Sequence, residues 1–329
     1  MPDADEVQTC HSGPHLMPPR HPDRMIWIAA GVILAVDLVW LARADIALRG
    51  EGFVVAALVI AVLAVAGTFW TRVKPEPQLA AMALSTAALG SFTIAIAVLH
   101  YLMATLDRPL IDAGLAGWES RLGFDWPGYI GWIEQHGTLA HVLAQAYHSS
   151  GPQVGLVVVA LSAARQFARL WAFARMFAVA LFVAIAVSCL FPAEGPYAFY
   201  GVAADPSRLE TLGAVWHLDA LHALRNGTLD SLALTDIRGL VTFPSFHVCL
   251  ALLTIWALWR VPVLNLIATV VNAAIIVATL SAGGHYLPDL LAGGALAVLV
   301  IVGLRGHALS LDSNPRSRRI RSDVMRAPS

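Results

Sequence analysis

The sequence predicts an all-α polytopic membrane protein with about eight transmembrane helices. Three observations predict it. Charged residues make up only 13% of the 329 positions, well below the share usual in a soluble domain. Hydrophobic residues reach 58%, and the mean hydropathy is +0.68. No Asp, Glu, Lys or Arg occurs from 79 to 106 or from 261 to 288, and further charge-free windows cover 53–71, 176–193 and 239–259. Helices of that length satisfy their own backbone hydrogen bonds across hydrocarbon, and the alternating pattern of a barrel strand is missing.

Taken in order, the apolar windows fall at 25–42, 53–70, 79–104, 142–163, 170–191, 245–260, 262–281 and 286–304. The sixth is short and draws on Thr242-Phe243-Pro244 to cross. Residues 25–41 followed by Ala42-Arg43-Ala44 also fit a signal peptide with its cleavage site; Asp3, Asp5 and Glu6 ahead of the run and Asp37 within it favour a retained helix. Basic residues set the orientation. Arg20, Arg24, Arg72, Lys74, Arg165, Arg169, Arg175, Arg260 and the arginines from Arg305 to Arg326 fall on one side. Half as many, Arg43, Arg49, Arg108, Arg121, Arg208, Arg225 and Arg238, fall on the other. Both termini are expected in the cytoplasm, so the connections 105–141, 192–244 and 282–285 face the exoplasmic or periplasmic side of a plasma or inner membrane.

Residues 1–24 read as a cytoplasmic segment and 306–329 as a basic tail suited to anionic lipid. The outward connections carry aromatic residues, Trp118, Phe124, Trp126, Tyr129 and Trp132, fit for the headgroup level, and an amphipathic stretch, 215–224, fit for a helix lying in the interface. Cys10, Cys189 and Cys249 make no disulfide framework, and a net charge of -1 gives no reason for a nucleic-acid partner. Asp37 reads as a structural polar contact, Gly293-Gly294 as a helix-packing surface, and Trp256 and Trp259 as a cytoplasmic aromatic belt.

Two stretches carry chemistry. Phe243-Pro244-Ser245-Phe246-His247 stands where an outward connection becomes the sixth span. A helix start there offers unpaired N–H groups, the Ser245 hydroxyl and the His247 imidazole to one volume, an arrangement suited to phosphate. In the second, Gly283-Gly284-His285-Tyr286-Leu287-Pro288-Asp289, the histidine and the carboxylate are four apart and share a helix face. Asp289 can hold one imidazole nitrogen while the other stays available as nucleophile or base. Taken singly, each stretch also fits a capped helix with an interfacial histidine. Together they bring two histidines and a carboxylate to one membrane face, which suits phosphoryl transfer. A zinc site is the weaker constellation, because His136 and His141, and His217 and His222, are five apart and do not share a face. A transporter built of broken helices in related halves has no counterpart in the sequence. No cofactor or metal is expected.

The two stretches resemble the second and third signature motifs of the phosphatidic acid phosphatase type 2 superfamily. More narrowly, they are similar to its inositolphosphotransferase branch, which includes inositol phosphorylceramide synthases. The resemblance implies a six-helix catalytic core over 79–305, with 25–78 adding two helices. It also implies a phosphohistidine intermediate, with His285 as nucleophile, Asp289 as its orienting carboxylate, His247 as general acid and Ser245 as a phosphate contact. The chain departs from the hydrolytic members, whose first motif is KxxxxxxRP, since no Lys follows Lys74, and Thr279 stands where they have an Arg six residues before the third-motif histidine. Fewer cations favour a phosphodiester over a phosphomonoester. The expected reaction is therefore transfer of a phosphoryl-linked headgroup from a phospholipid donor to a lipid alcohol such as ceramide or diacylglycerol. Hydrolysis of phosphatidate or a polyprenyl phosphate is the alternative. Arg225 and then Arg238 are the candidate replacement cations, and Tyr147, His148 and Gln153 are candidates to line the substrate cavity.

Overall fold

The computed structural model describes residues 24–205 and 207–312, with side chains as far as Arg305. Helix α1 (Arg24–Ala44) is joined to α2 (Gly50–Arg72) by the short strand β1 (Ala47–Arg49), and α3 (Pro77–Ala104) follows. The first long connection folds into α4 (Asp112–Arg121) and α5 (Trp126–Glu134) before α6 (Gly137–His148), α7 (Ser150–Ala163) and α8 (Phe167–Leu190). The second holds α9 (Pro196–Tyr200), α10 (Leu209–Val215), α11 (Leu218–Arg225) and β2 (Ser231–Ala233). Helices α12 (Phe246–Leu258), α13 (Pro262–Ser281) and α14 (Leu287–Asp312) complete the described chain. Six helices, α1, α2, α3, α8, α13 and α14, are long and apolar enough to cross a membrane, and α7 and α12 are shorter apolar helices. The protein is an all-α polytopic membrane protein.

The main core gathers α3, α7, α8, α12 and α14 around Phe92, Ile96, Leu161, Phe173, Leu253 and Ala297. Helix α2 packs on α3 and leaves Val55, Leu58, Val62 and Val65 more than 60% exposed, an apolar face suited to the hydrocarbon of a bilayer. The connections sort to two ends. At one, Gln78 donates to the Ala163 carbonyl at 2.9 Å, Arg169 donates to Ala257 O at 2.7 Å, and its guanidinium lies over Trp256 at 4.4 Å. At the other, β1 pairs in parallel with β2, Ala47 facing Ser231, and Arg49 is ion-paired with Asp236. The 45–49 link and the 192–244 connection therefore share an end, as the charge distribution anticipates.

Several expectations need correction. The window 142–163 is two helices rather than one, broken at Ser149, because Pro152 has no N–H for the His148 carbonyl and clashes with it. The amphipathic stretch 215–224 is divided between α10 and α11 at Trp216 and His217. Trp126 is fully buried inside the protein rather than presented to lipid headgroups, and its indole donates to Leu280 O at 3.0 Å. Asp37 makes no structural polar contact: both carboxylate oxygens are buried without a hydrogen bond among the described residues. Helix α14 continues to Asp312, so the start of the tail is helical. The N-terminal segment through Asp23, with Cys10 and Arg20, and the tail beyond Asp312 lie outside the described residues.

Candidate active site

Helix α13 ends at Ser281, and the chain turns through Gly284, whose φ of +59° lies in the left-handed region that glycine tolerates. A Cβ there would also meet the Ala214 Cβ at 2.7 Å, so the turn seats the end of α10 against it. The turn delivers His285, whose N–H donates to Thr279 O at 3.0 Å. In the first turn of α14, Asp289 Oδ2 accepts the Tyr286 N–H at 2.9 Å and faces His285 Nδ1 at 3.3 Å. Pro288 falls in that same turn, where no backbone N–H is needed.

Helix α12 is fastened to this turn by its N-cap, since Ser245 N–H donates to Asp289 O at 3.0 Å. The fastening sets His247 opposite His285, ring centroids 6.5 Å apart and planes at 61°. Tyr147, from the last turn of α6, stacks on the His247 ring at 4.2 Å and brings its hydroxyl to Nδ1 at 3.2 Å. Both imidazoles line a cavity of about 260 Å³ together with Tyr147, His100, His217 and Arg238, and with apolar residues of α3 and α8 such as Ile96 and Leu181.

Burial pushes the His285 imidazole down to about 4, a hydrogen bond with the Thr242 backbone acting in the opposite sense. Burial likewise lowers His217 to about 4 against a hydrogen bond to the Glu194 carbonyl. Both rings are therefore neutral near pH 7, the state in which an imidazole nitrogen can attack.

The structure brings together His247, His285, Asp289 and Arg238. Ser245 stands behind the pair, its Oγ buried and without a hydrogen bond, and it is not among the cavity-lining residues. His148 is also off the wall; its Nε2 meets Leu209 O at 3.1 Å and its ring lies beside Trp216. Arg225 is not brought to the histidines. Its guanidinium pairs with Asp107 at 2.7 Å and donates to Arg108 O at 2.8 Å, and it does not line the histidine cavity. Gln153 accepts from Asn272 at 2.7 Å and ties α7 to α13.

Sequence reasoning missed two carboxylates on α4. Glu119 Oε1 accepts the Leu287 N–H at 2.8 Å and so caps α14. Asp112 accepts from Glu194 N, Gly195 N and the Tyr286 hydroxyl, holding the second connection against the same turn. Their seven-residue spacing, two helical turns on one face, was the available signal. His100 was missed as well, although a histidine inside a charge-free span is itself a signal. Among the described residues, no three His, Cys, Asp or Glu side chains group as metal ligands.

The family model of the PAP2 superfamily (PAP2_3) matches residues 113–303, a stretch that runs from α4 into α14 and contains both motifs. No curated protein and no solved structure matches the chain. The match covers more than half of the sequence and includes the paired histidines and Asp289. The chain thus belongs to the PAP2 superfamily, as an integral membrane enzyme of the lipid phosphatase and phosphotransferase type.

Proposed function

We propose that this protein moves a phosphoryl-linked headgroup, such as inositol phosphate, from a phospholipid donor to a lipid alcohol such as ceramide or diacylglycerol. The observation that carries the reading is the pair of imidazoles 6.5 Å apart on one cavity wall, one of them backed by a carboxylate. That separation, measured between ring centroids, sets both imidazoles against one small space, so that a single bound phosphoryl group can lie beside both. Asp289 accepts the Nδ1 proton of His285, which leaves the Nε2 lone pair for attack on phosphorus. The bond from phosphorus to the diacylglycerol oxygen breaks as His247 gives that oxygen a proton. An acceptor hydroxyl then attacks the phosphohistidine, the P–N bond breaks, and the hydroxyl proton goes to His247. Tyr147 holds His247 by Nδ1 and leaves Nε2 for both proton transfers. Burial of the site strengthens each of these electrostatic contacts.

Transfer is favoured over hydrolysis of a monoester by the cation count. Among the described residues, Arg238 is the only Arg or Lys that lines the cavity, and one guanidinium suits a diester monoanion better than a dianion. The charge distribution along the sequence supports a site on the exoplasmic or periplasmic side, with both termini cytoplasmic.

The test is a donor and acceptor comparison in defined vesicles. Phosphatidylinositol should react faster than phosphatidate, and added ceramide or diacylglycerol should capture the headgroup phosphate as new lipid, with some loss to water. Rapid release of inorganic phosphate from phosphatidate without any capture by an acceptor would establish a lipid phosphatase instead.

A further inference from the structure

A second, larger space lies on the other side of α11. It is an open groove of about 820 Å³, within the range of ligand sites, walled by Val32, Ala35, Val36 and Val39 of α1 and by Leu224 and Leu229. Val32, Val36 and Val39 are 59%, 43% and 54% exposed on a helix that crosses the membrane, so the groove opens into hydrocarbon. Along α1 it runs ~16 Å, from Val32 to Arg43. Arg43 and Arg225 both line it, and each sits in the last turn of its helix, so the cationic end of the groove is the end that carries the long connections.

The groove is not isolated from the histidines. A gap of about 20 Å³, lined by His100, Leu221, Arg225 and Leu240 among others, separates it from the 260 Å³ cavity. Arg225 belongs to the groove and the gap, and His100 to the gap and the cavity. One line therefore runs from the membrane past Arg225 and His100 to the reacting rings. In this structure the gap holds no more than a single water.

We infer that the groove between α1 and α11 is the docking site of the anionic phosphodiester lipid donor, its phosphate on Arg43 and Arg225 and one acyl chain along α1. The inference rests on the proposed headgroup transfer. A soluble ligand is disfavoured by apolar walls open to the bilayer, and an uncharged lipid alcohol leaves the two guanidinium groups without a partner. Arg225 is now paired with Asp107; the carboxylate is 60% exposed and the arginine side chain 16%, so a lipid phosphate would reach the guanidinium from the groove by displacing the solvent-facing carboxylate. Arg43 makes no ion pair among the described residues.

The test uses the full chain in phosphatidylcholine vesicles containing phosphatidylinositol with a photoreactive acyl chain, with a diacylglycerol carrying the same chain as control. Labelling should fall on residues 32–44 and 223–229 and exceed that by diacylglycerol by about tenfold, as two charge contacts allow. Ala35→Trp, which fills the groove, should lower the labelling and raise KM for phosphatidylinositol while leaving kcat unchanged. Asp107→Asn frees Arg225 and should raise labelling by up to about fivefold. Val59→Trp, on the bare face of α2, should change neither. Equal labelling by the uncharged lipid, or indifference to Ala35→Trp, overturns the inference. Its failure is separable from that of the reaction: labelling of this pattern in a protein that transfers nothing upholds the groove and removes the headgroup-transfer reading, and transfer without such labelling does the reverse.

Discussion

Replacing Gly293 by alanine should abolish most turnover while leaving the protein folded. Gly293 lies one turn after Asp289 on α14, where a Cβ would stand 2.2 Å from the Ser245 carbonyl oxygen and 3.1 Å from its carbonyl carbon. Restoring van der Waals contact requires the two backbones to part by about 1 Å. The strain falls on the Ser245 N–H to Asp289 O bond, now 3.0 Å, which at ~4 Å is no longer a hydrogen bond. His247 is two residues beyond that joint, so its ring moves relative to His285. A misplacement of about 1 Å between reacting groups costs on the order of 100-fold in rate. Stability should change less, because overpacking costs about 1–3 kcal/mol while alanine returns about 1 kcal/mol of helix propensity over glycine. The neighbouring Gly294→Ala is the control, since its Cβ would meet nothing closer than Leu252 Cδ1 at 4.0 Å. Purified Gly293→Ala and Gly294→Ala should be compared for turnover in vesicles and for thermal unfolding in detergent. If Gly293→Ala turns over within about threefold of the parent protein, contact between α12 and α14 does not set the histidine geometry, and the reasoning fails.

Four further outcomes are expected. His285→Ala and His247→Ala should insert and fold yet lose turnover, whereas Asp289→Ala should keep a measurable residue because the imidazole still samples the productive tautomer; rates of purified protein separate the three, and undiminished turnover in His285→Ala rules out the covalent step. Tyr147→Phe removes the hydroxyl at His247 Nδ1 but keeps the stacked ring, so kcat should fall by about 10-fold with little change in KM, as for loss of a positioning contact. The acid limb of kcat/KM should lie below the ordinary imidazole value of 6.5, toward about 4, because His285 stays neutral until the pH falls that far. By the same linkage the unfolded chain binds more protons than the folded one between those values. Stability should therefore be full above pH 6.5 and decline as the pH falls to about 4, by ~3 kcal/mol for His285, a loss that thermal unfolding across that range measures.

The helices that span the membrane were legible because hydropathy is a local property: eight apolar windows became helices, and the error at 142–163 came from Pro152, itself visible in the sequence. The motif residues were legible because both lie at helix starts, where four-residue spacing fixes what Asp289 can reach. What packs beside them was not. Tyr147 reaches His247, a hundred residues away, only because α6 packs on α13, which in turn packs on α12. Arg225 and Arg238 look alike as loop arginines, and only the folded connection shows that Arg238 lines the histidine cavity while Arg225 pairs with Asp107. Asp112 and Glu119 were passed over although their seven-residue spacing puts them on one face, because what that face packs against is set by the second connection and the turn before α14.

The ladder between β1 and β2 has a consequence for the order in which the protein is made. Arg49 and its partner Asp236 are 187 residues apart, and at roughly 5–20 residues per second the second emerges some ten to forty seconds after the first. During that interval α1 and α2 can rest only on α3, the one long helix already synthesised beside them. The wall of the groove formed by α1 is therefore fixed late in biosynthesis, when the outer connection returns to latch it. A ribosome stalled between these positions would leave a membrane-inserted helical hairpin whose inner face is still open to lipid.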